Sequence, residues 1–263
     1  MPETQPEDRM NQYLDRFRAD GKVAIVTGAS SGLGLGFARA IGSVGASVVV
    51  AARRGARLDE LCAELASEGI TAHPFVMDVT DTDQCKELVG AAVDRFGRLD
   101  ILINNAGLGG SVPSHKESPE HFRTVVDVNL MGTYWMAQAA VAVMTPGSAI
   151  VNIASLHSLT ASQFPQAAYT ASKAGVLGLT RDLASQWSKR RGIRVNALCP
   201  GYVETEMTGD AIAPLSQMVE QHSILGRLGN QEEMDSGLIF LATDASSYMT
   251  GGSLVIDGGY SVV

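Results

Sequence analysis

The sequence predicts an α/β fold: one doubly wound parallel sheet of about seven strands, with helices on both faces. Three observations carry that reading. Short, near-continuous apolar runs alternate with stretches at helical spacing, the pattern of strands buried on both sides. The first apolar run leads straight into a glycine-rich turn that opens a helix. The chain has 263 residues, 45% hydrophobic and 18% charged, enough for one large domain with a full core.

Taken in order, Val23 to Val26 is the first strand, followed by Thr27-Gly28-Ala29-Ser30-Ser31-Gly32-Leu33-Gly34 and by helical spacing from Phe37 to Val44. Ser47 to Ala51 is a strand of β-branched residues, and Ala56 to Ser67 a helix. Thr71 to Val76 is a weaker strand. Asp81 or Thr82 caps a helix that runs to Phe96. Ile101 to Ile103 is a strand. Ser118 to Met144 reads as one long helix, capped by Ser118 with Pro119 at its first position. Ala149 to Ile153, Arg194 to Leu198 and Ser253 to Ile256 are further strands, with helices over Ala168 to Lys189 and Gln231 to Leu241. No repeat, low-complexity tract or linker interrupts the body at 21–263. Residues 1–20 form a peripheral arm, whose Tyr13, Leu14 and Phe17 are placed to dock on the body or on a neighbouring subunit.

Composition excludes several classes of function. No apolar run approaches the ~20 residues that span a bilayer. Met1 to Asp20 is charged and lacks the apolar core of a secretory signal. A net charge of −8 argues against a general nucleic-acid binder. Cys62, Cys85 and Cys199 are odd in number and widely spaced, which suggests reduced thiols in a cytoplasmic protein. His73, His115, His121, His157 and His222 are scattered and make no metal-ligand spacing, so no metal is expected.

Two features carry chemistry. The glycine-rich turn sits between strand and helix, as a dinucleotide site in a Rossmann fold requires. Gly28 permits the sharp turn, Gly32 and Gly34 allow close backbone approach, and the helix N-terminus offers N–H donors to phosphates. Tyr169 and Lys173 lie one helical turn apart on one face. An ammonium beside a phenol lowers its pKa from ~10, which brings proton exchange toward neutral pH. Alone, the Tyr-x-x-x-Lys pair fits an ordinary surface helix equally well.

The spacing Thr-Gly-x-x-x-Gly-x-Gly resembles that of the short-chain dehydrogenase/reductase family, and further motifs agree from about Asp20 to the C-terminus. Asp78-Val79 looks like the family's adenine-contacting pair, and Asn104-Asn105-Ala106-Gly107 like its Asn-Asn-Ala-Gly element. Asn129 in Val-Asn-Leu-Met-Gly matches its helix Asn. Ser155, Tyr169 and Lys173 match its catalytic Ser, Tyr and Lys. Pro200-Gly201 with Val203 and Thr205 looks like its Pro-Gly element, and Asp257-Gly258-Gly259 like its C-terminal end. Ser158 lies near Ser155, and Ser155 is preferred because it directly follows a strand.

The resemblance implies an oxidoreductase that interconverts a ketone and a secondary alcohol with a nicotinamide cofactor. Tyr169 would exchange the proton. Lys173 would tune it and hold the nicotinamide ribose, Ser155 would bond the substrate oxygen, and Asn129 would hold a relay water. Asn104 ties strands together. Cofactor contacts would come from Gly28, Ser30, Ser31, Leu33, Gly34, Asp78, Val79, Asn105, Ala106, Gly107, Tyr169, Lys173, Pro200, Gly201, Val203 and Thr205. A complete Ser, Tyr and Lys set argues against a non-catalytic NADP-binding sensor.

The second strand ends Val50-Ala51-Ala52-Arg53-Arg54, with no carboxylate before Asp59. An acidic residue there suits NAD, and Arg accommodates the 2′-phosphate of NADP. NADP(H) is therefore favoured over NAD(H), with Arg53 as first contact and Arg54 as second. Ser155, His157, Phe164, Tyr169, Tyr202 and Met207 are the expected substrate contacts, and 202–225 contains an apolar stretch suited to a lid or to a packed surface helix. The substrate classes left open are 3-oxoacyl thioesters, small ketones, sugar acids and hydroxysteroids. The segment Tyr13 to Arg18 is similar to a gluconate 5-dehydrogenase-like branch that would use NAD. By resemblance, small residues on the two long helices (Ala137, Ala139, Ala140, Ala142, Ala174, Gly175, Gly178) imply a dimer face and a homotetramer.

Overall fold

The computed structural model describes residues 6–204 and 212–263. Strands β1 (Val23–Thr27), β4 (Ile101–Asn104) and β5 (Ala149–Ile153) are buried at every position. Backbone so placed must pair on both edges and be covered on both faces. The sheet has the order β3-β2-β1-β4-β5-β6-β7, with every pairing parallel. β2 (Ser47–Ala52) and β6 (Arg194–Pro200) flank the centre, and β3 (Ala72–Val76) and β7 (Ser253–Ile256) are the edges. The weaker apolar signal of the third strand is thus an edge signal. Its Pro74 is tolerated because an edge strand has an unpaired side.

Alternation along the strands fills two core layers. Val48 and Val50 pack with Phe37, Ile41, Leu58 and Leu61 from α2 (Gly32–Ser43) and α3 (Gly55–Ser67). α9 (Gln231–Ala242) adds Leu238 and Leu241 on this face. Val49 and Ala51 face the other layer, with Leu88 and Val89 of α4 (Thr82–Phe96) and Met136, Ala137 and Ala140 of α6 (Gly132–Val141). Leu183, from α7 (Ala167–Arg191), completes it. Asp81 caps α4 by accepting from the N–H groups of Asp83 and Gln84, and α7 ends on Gly192 in the left-handed conformation.

The expected single helix from Ser118 to Met144 is broken. Ser118 caps α5 (Pro119–Val126) as anticipated, but Asp127–Met131 forms a π turn before α6 begins. Side-chain periodicity is too coarse to reveal one extra residue in a turn. The arm is α1 (Pro6–Asp15). Tyr13 and Leu14 remain exposed, so they do not dock on the body. Arg16 makes the attachment, donating to Asp244 O and Ser247 Oγ, with the Phe17 ring centre 6.5 Å from that of Phe240. α8 (Ile212–His222) lies after the end of β6.

The order reverses between β1 and β4, and there a crevice opens at the carboxyl ends of the strands. Its two rims are tied together. Thr27 Oγ1 accepts from the N–H groups of Asn105 and Ala106, both at 3.1 Å, and Asn105 Nδ2 donates to Thr27 O at 3.0 Å. Thr27→Val keeps the shape and leaves the Ala106 N–H without its acceptor, while the Asn105 N–H keeps Ile103 O. It should destabilise the protein by about 1–2 kcal/mol, measured as a fall in thermal or denaturant midpoint.

Candidate active site

A cavity of about 600 Å³ fills the crevice. One end is built by the glycine-rich turn. Gly28 has φ +68, and a Cβ there would lie 2.7 Å from Ala106 Cα. A Cβ on Gly34 would lie 2.4 Å from both Asn105 Nδ2 and Gly28 O. Only glycine lets the turn close against the Asn105 loop. Gly34 therefore packs behind the cavity and does not line it, contrary to the expected cofactor contact. Ser31 stands at the N-cap of α2 but makes no cap bond. Its hydroxyl accepts from Arg54 Nη2 at 2.7 Å, and Ser30 Oγ accepts from the same nitrogen at 2.9 Å. Uncapped N–H groups beside an arginine suit an anionic group.

Gly28, Ser30, Ser31, Leu33, Arg53, Arg54, Asp78, Val79, Asn105, Ala106, Gly107, Pro200, Gly201 and Val203 all line the cavity. Thr205 and Met207 lie outside the described residues. Met77, Val128, Ile153 and Ala154 also line it. They had no distinguishing signal, because apolar residues at strand ends and on a helix look like ordinary core.

At the far end, Ser155, Tyr169 and Lys173 face the same cavity. Ser155 follows β5 and opens a short 3-10 turn, where its Oγ accepts from His157 N at 3.1 Å. Ser158 Oγ accepts from Ser155 N at 3.2 Å, so Ser158 supports the turn and Ser155 stands at the cavity. Lys173 is 5% exposed, and its Nζ donates to Ile153 O at 2.7 Å. Burial pulls its pKa down to about 8, against a smaller upward pull from Cys199. Nζ lies 5.9 Å from the centre of the Tyr169 ring. Burial pushes the Tyr169 phenol upward, with a hydrogen bond from Ser155 opposing it. The expected lowering of the Tyr169 pKa by Lys173 is therefore not the leading effect: the lysine points at a carbonyl, and desolvation of the phenol dominates.

Asn129 is fully buried on the π turn. Its Oδ1 accepts from Leu108 N at 2.7 Å, and its Nδ2 donates to Leu108 O and Ser172 Oγ. It clamps the cavity loop with its side chain. Asn104 donates to Asn152 Oδ1 and Thr133 O, and Asn152 to Thr180, tying β4, β5, α6 and α7 together.

The substrate-side expectations divide. Tyr202 lines the cavity, with Leu215 of α8 and Leu108. His157 does not, because its ring is buried against Tyr202 and Tyr260. Phe164 is 42% exposed and also lies off the cavity. Its N–H donates to Ser162 Oγ in a local turn on the outer loop.

A family model described as enoyl-(acyl carrier protein) reductase matches residues 28–261. The chain is 38% identical to a 3-oxoacyl-(acyl-carrier-protein) reductase of Thermotoga maritima, covering 92% of this chain and 98% of that one. The chain belongs to the short-chain dehydrogenase/reductase family. Its oxidoreductases act on CH–OH groups, and this chain is one of them. It is 36% identical to a gluconate 5-dehydrogenase of Gluconobacter oxydans, over 95% of this chain and 98% of the relative. A crystal structure of a gluconate 5-dehydrogenase from Burkholderia cenocepacia in complex with NADP and tartrate superposes with a TM-score of 0.88 at 35% identity. It covers 95% of this chain and 99% of that one.

The depressed Lys173 pKa makes a stability prediction for the cofactor-free protein. Between its folded value, about 8, and its unfolded value the unfolded chain binds more protons, so stability rises with pH. From pH 8 to 9 the Lys173 contribution should grow by about 1 kcal/mol. Cys85 and Cys199, both pushed up to about 11, act in the opposite direction from about pH 8 upward, in the parent and in Lys173→Met alike. Denaturant unfolding at both pH values should therefore show the parent's stability change exceeding that of Lys173→Met by about 1 kcal/mol.

Proposed function

We propose that this short-chain dehydrogenase/reductase reduces a ketone to a secondary alcohol, or the reverse, with NADP(H) and with Tyr169 as the proton donor or acceptor. The carrying observation is that Ser155, Tyr169 and Lys173 converge on one end of a cavity whose other end is the glycine-rich turn. The groove's shape and its uncapped helix terminus fit a dinucleotide. When bound, the nicotinamide supplies or accepts the hydride. The Ser155 hydroxyl holds the substrate oxygen where charge develops, and Tyr169 gives or takes the proton there. Lys173, held by Ile153 O, keeps a cation beneath the tyrosine that favours its anionic form once the ring is deprotonated. Asn129 positions this end by fixing Leu108.

NADP(H) is favoured by what surrounds the end of β2. Arg53 and Arg54 line the cavity beside Ala52, and Arg54 already gathers the Ser30 and Ser31 hydroxyls. These four residues make a cationic, donor-rich cradle for a 2′-phosphate. We place Arg54 on an equal footing with Arg53, because it is Arg54 that organises the serines.

Tyr202, Leu108 and Leu215 make a mixed wall that suits a small carbonyl compound or a 3-oxoacyl group. A sugar acid or polyol is the second reading, favoured by the gluconate 5-dehydrogenase relatives. The assembly we propose is a cytoplasmic homotetramer. Ala137 and Ala140 are buried in their own core, and Gly175 packs against Leu130. Ala142, Ala174 and Gly178 remain at the surface for a partner helix. Among the described residues no helix is long and apolar enough to cross a membrane.

The decisive assay follows nicotinamide absorbance with a panel of ketones and alcohols. Tyr169→Phe should retain fold and cofactor binding and lose turnover by about 10²–10⁴-fold; unimpaired turnover would sink the assignment. Removing one arginine–phosphate contact weakens binding roughly ten- to a hundredfold. Arg54→Ala should therefore lower the NADPH-to-NADH ratio of kcat/KM by at least about tenfold, with Arg53→Ala as the parallel variant. A parent enzyme that prefers NADH would overturn the cofactor reading.

A further inference from the structure

His157 is a buried histidine that the proposed reaction does not use. It is 4% exposed, sits two residues beyond Ser155, and gives its backbone N–H to the Ser155 hydroxyl. Its Nε2 lies 3.0 Å from Tyr202 Oη. Its Nδ1 is buried with no hydrogen-bond partner among the described residues. Burial pushes its pKa down, so the ring is neutral at physiological pH. A neutral imidazole buried with a single side-chain hydrogen bond leaves one ring nitrogen unpaired, at a cost in stability. The bond holds Tyr202, an aromatic side chain of the substrate-side wall.

Tyr202 follows Pro200-Gly201 at the end of β6 and lines the cavity. Its ring is gripped on two sides. The His157 ring meets it edge-on at 5.5 Å between centres, and the Tyr260 ring does so at 5.4 Å. Tyr260 is 5% exposed and is itself edge-on to His157 at 6.5 Å. Three chain segments far apart in sequence thus converge behind one wall: the turn after Ser155, the end of β6 and the C-terminal turn.

Resting on the reductase reading above, we propose that His157 is a positioning residue: through its hydrogen bond it fixes the Tyr202 ring as the substrate-side wall, with Tyr260 as backstop. His157 and Tyr260, which lie off the cavity behind that wall, then set the size of ketone the enzyme accepts. The Tyr202 hydroxyl points the ring's orientation rather than the chemistry. Its loss frees the side chain to swing about χ1 and blurs the cavity's shape.

His157→Phe and Tyr202→Phe remove the same hydrogen bond from opposite ends while keeping aromatic volume. Each should raise KM for a bulky cyclic ketone roughly three- to tenfold, the range of one hydrogen bond, with a much smaller change in kcat. Discrimination between that ketone and a small one such as 2-butanone should move by the same factor. The double variant should be no worse than either single one. His157→Gln, whose amide nitrogen reaches the position of Nε2, should restore parental KM. A purely structural histidine would instead lower the melting temperature and affect both ketones alike. The proposal is overturned if the two single effects multiply, if both ketones suffer equally, or if Gln restores stability without restoring KM. Should His157→Phe fail to fold, Tyr202→Phe, which deletes one oxygen, carries the same comparison. A parent that turns over no ketone on the panel overturns the reductase reading and this inference with it. An active parent with indiscriminate variants overturns this inference alone.

Discussion

The site depends on a hydrogen-bonded seam between two loops that leave the sheet in opposite directions. Thr27 ends β1 and Asn105 follows β4, adjacent strands whose crossovers wind to opposite sides. The threonine hydroxyl accepts two backbone N–H groups from the Asn105 loop, and the asparagine amide returns two bonds to the carbonyls of Thr27 and Gly28. Without that seam the crevice would be a gap between two mobile loops. With it, the backbone N–H groups at the start of α2 and the loop that carries Leu108 are held at a fixed separation. The cavity's volume is therefore set before anything enters, which lowers the ordering cost of binding.

The opposite end of the cavity stores electrostatic tension. Lys173 is a cation almost without solvent, held by one carbonyl. Tyr169 is a phenol whose ionised form burial disfavours. Neither environment suits its charged form alone, but each charge would relieve the other. Lysine as a cation and tyrosine as an anion form a pair in a low-dielectric pocket, where attraction is far stronger than in water. Under the proposed reaction, such a site would disfavour its resting state relative to the ion pair of the reacting state.

Much of this was legible in the sequence, for identifiable reasons. Central strands announce themselves by unbroken apolar runs. The turn at Gly28 does so because positive φ and a close backbone approach leave few alternatives to glycine. Tyr169 and Lys173 were visible because helical spacing puts them on one face. Four things were hidden. The π turn at Asp127–Met131 has no periodic signature. The commitment of the Asn129 side chain to Leu108 depends on a loop some twenty residues upstream. His157 looked like a cavity residue because it is near Ser155 in sequence, but a short 3-10 turn swings its ring behind the wall. Arg53 and Arg54 were separable only by side-chain direction, which no strand-end rule supplies.

The π turn has a consequence for how the chain tolerates change. Such a turn accommodates one surplus residue between two α-helical segments that keep their phase. Deleting one residue there would let α5 and α6 merge into an uninterrupted α-helix. Met136, Ala137 and Ala140 would stay seated on the sheet. What would vanish is the inward aim of Asn129 and, with it, the grip on Leu108. The surplus residue is thus an insertion the architecture does not need and the cavity does. At this point in the chain, the packing of α5 and α6 on the sheet and the hold on the cavity loop rest on different residues of the same helical stretch.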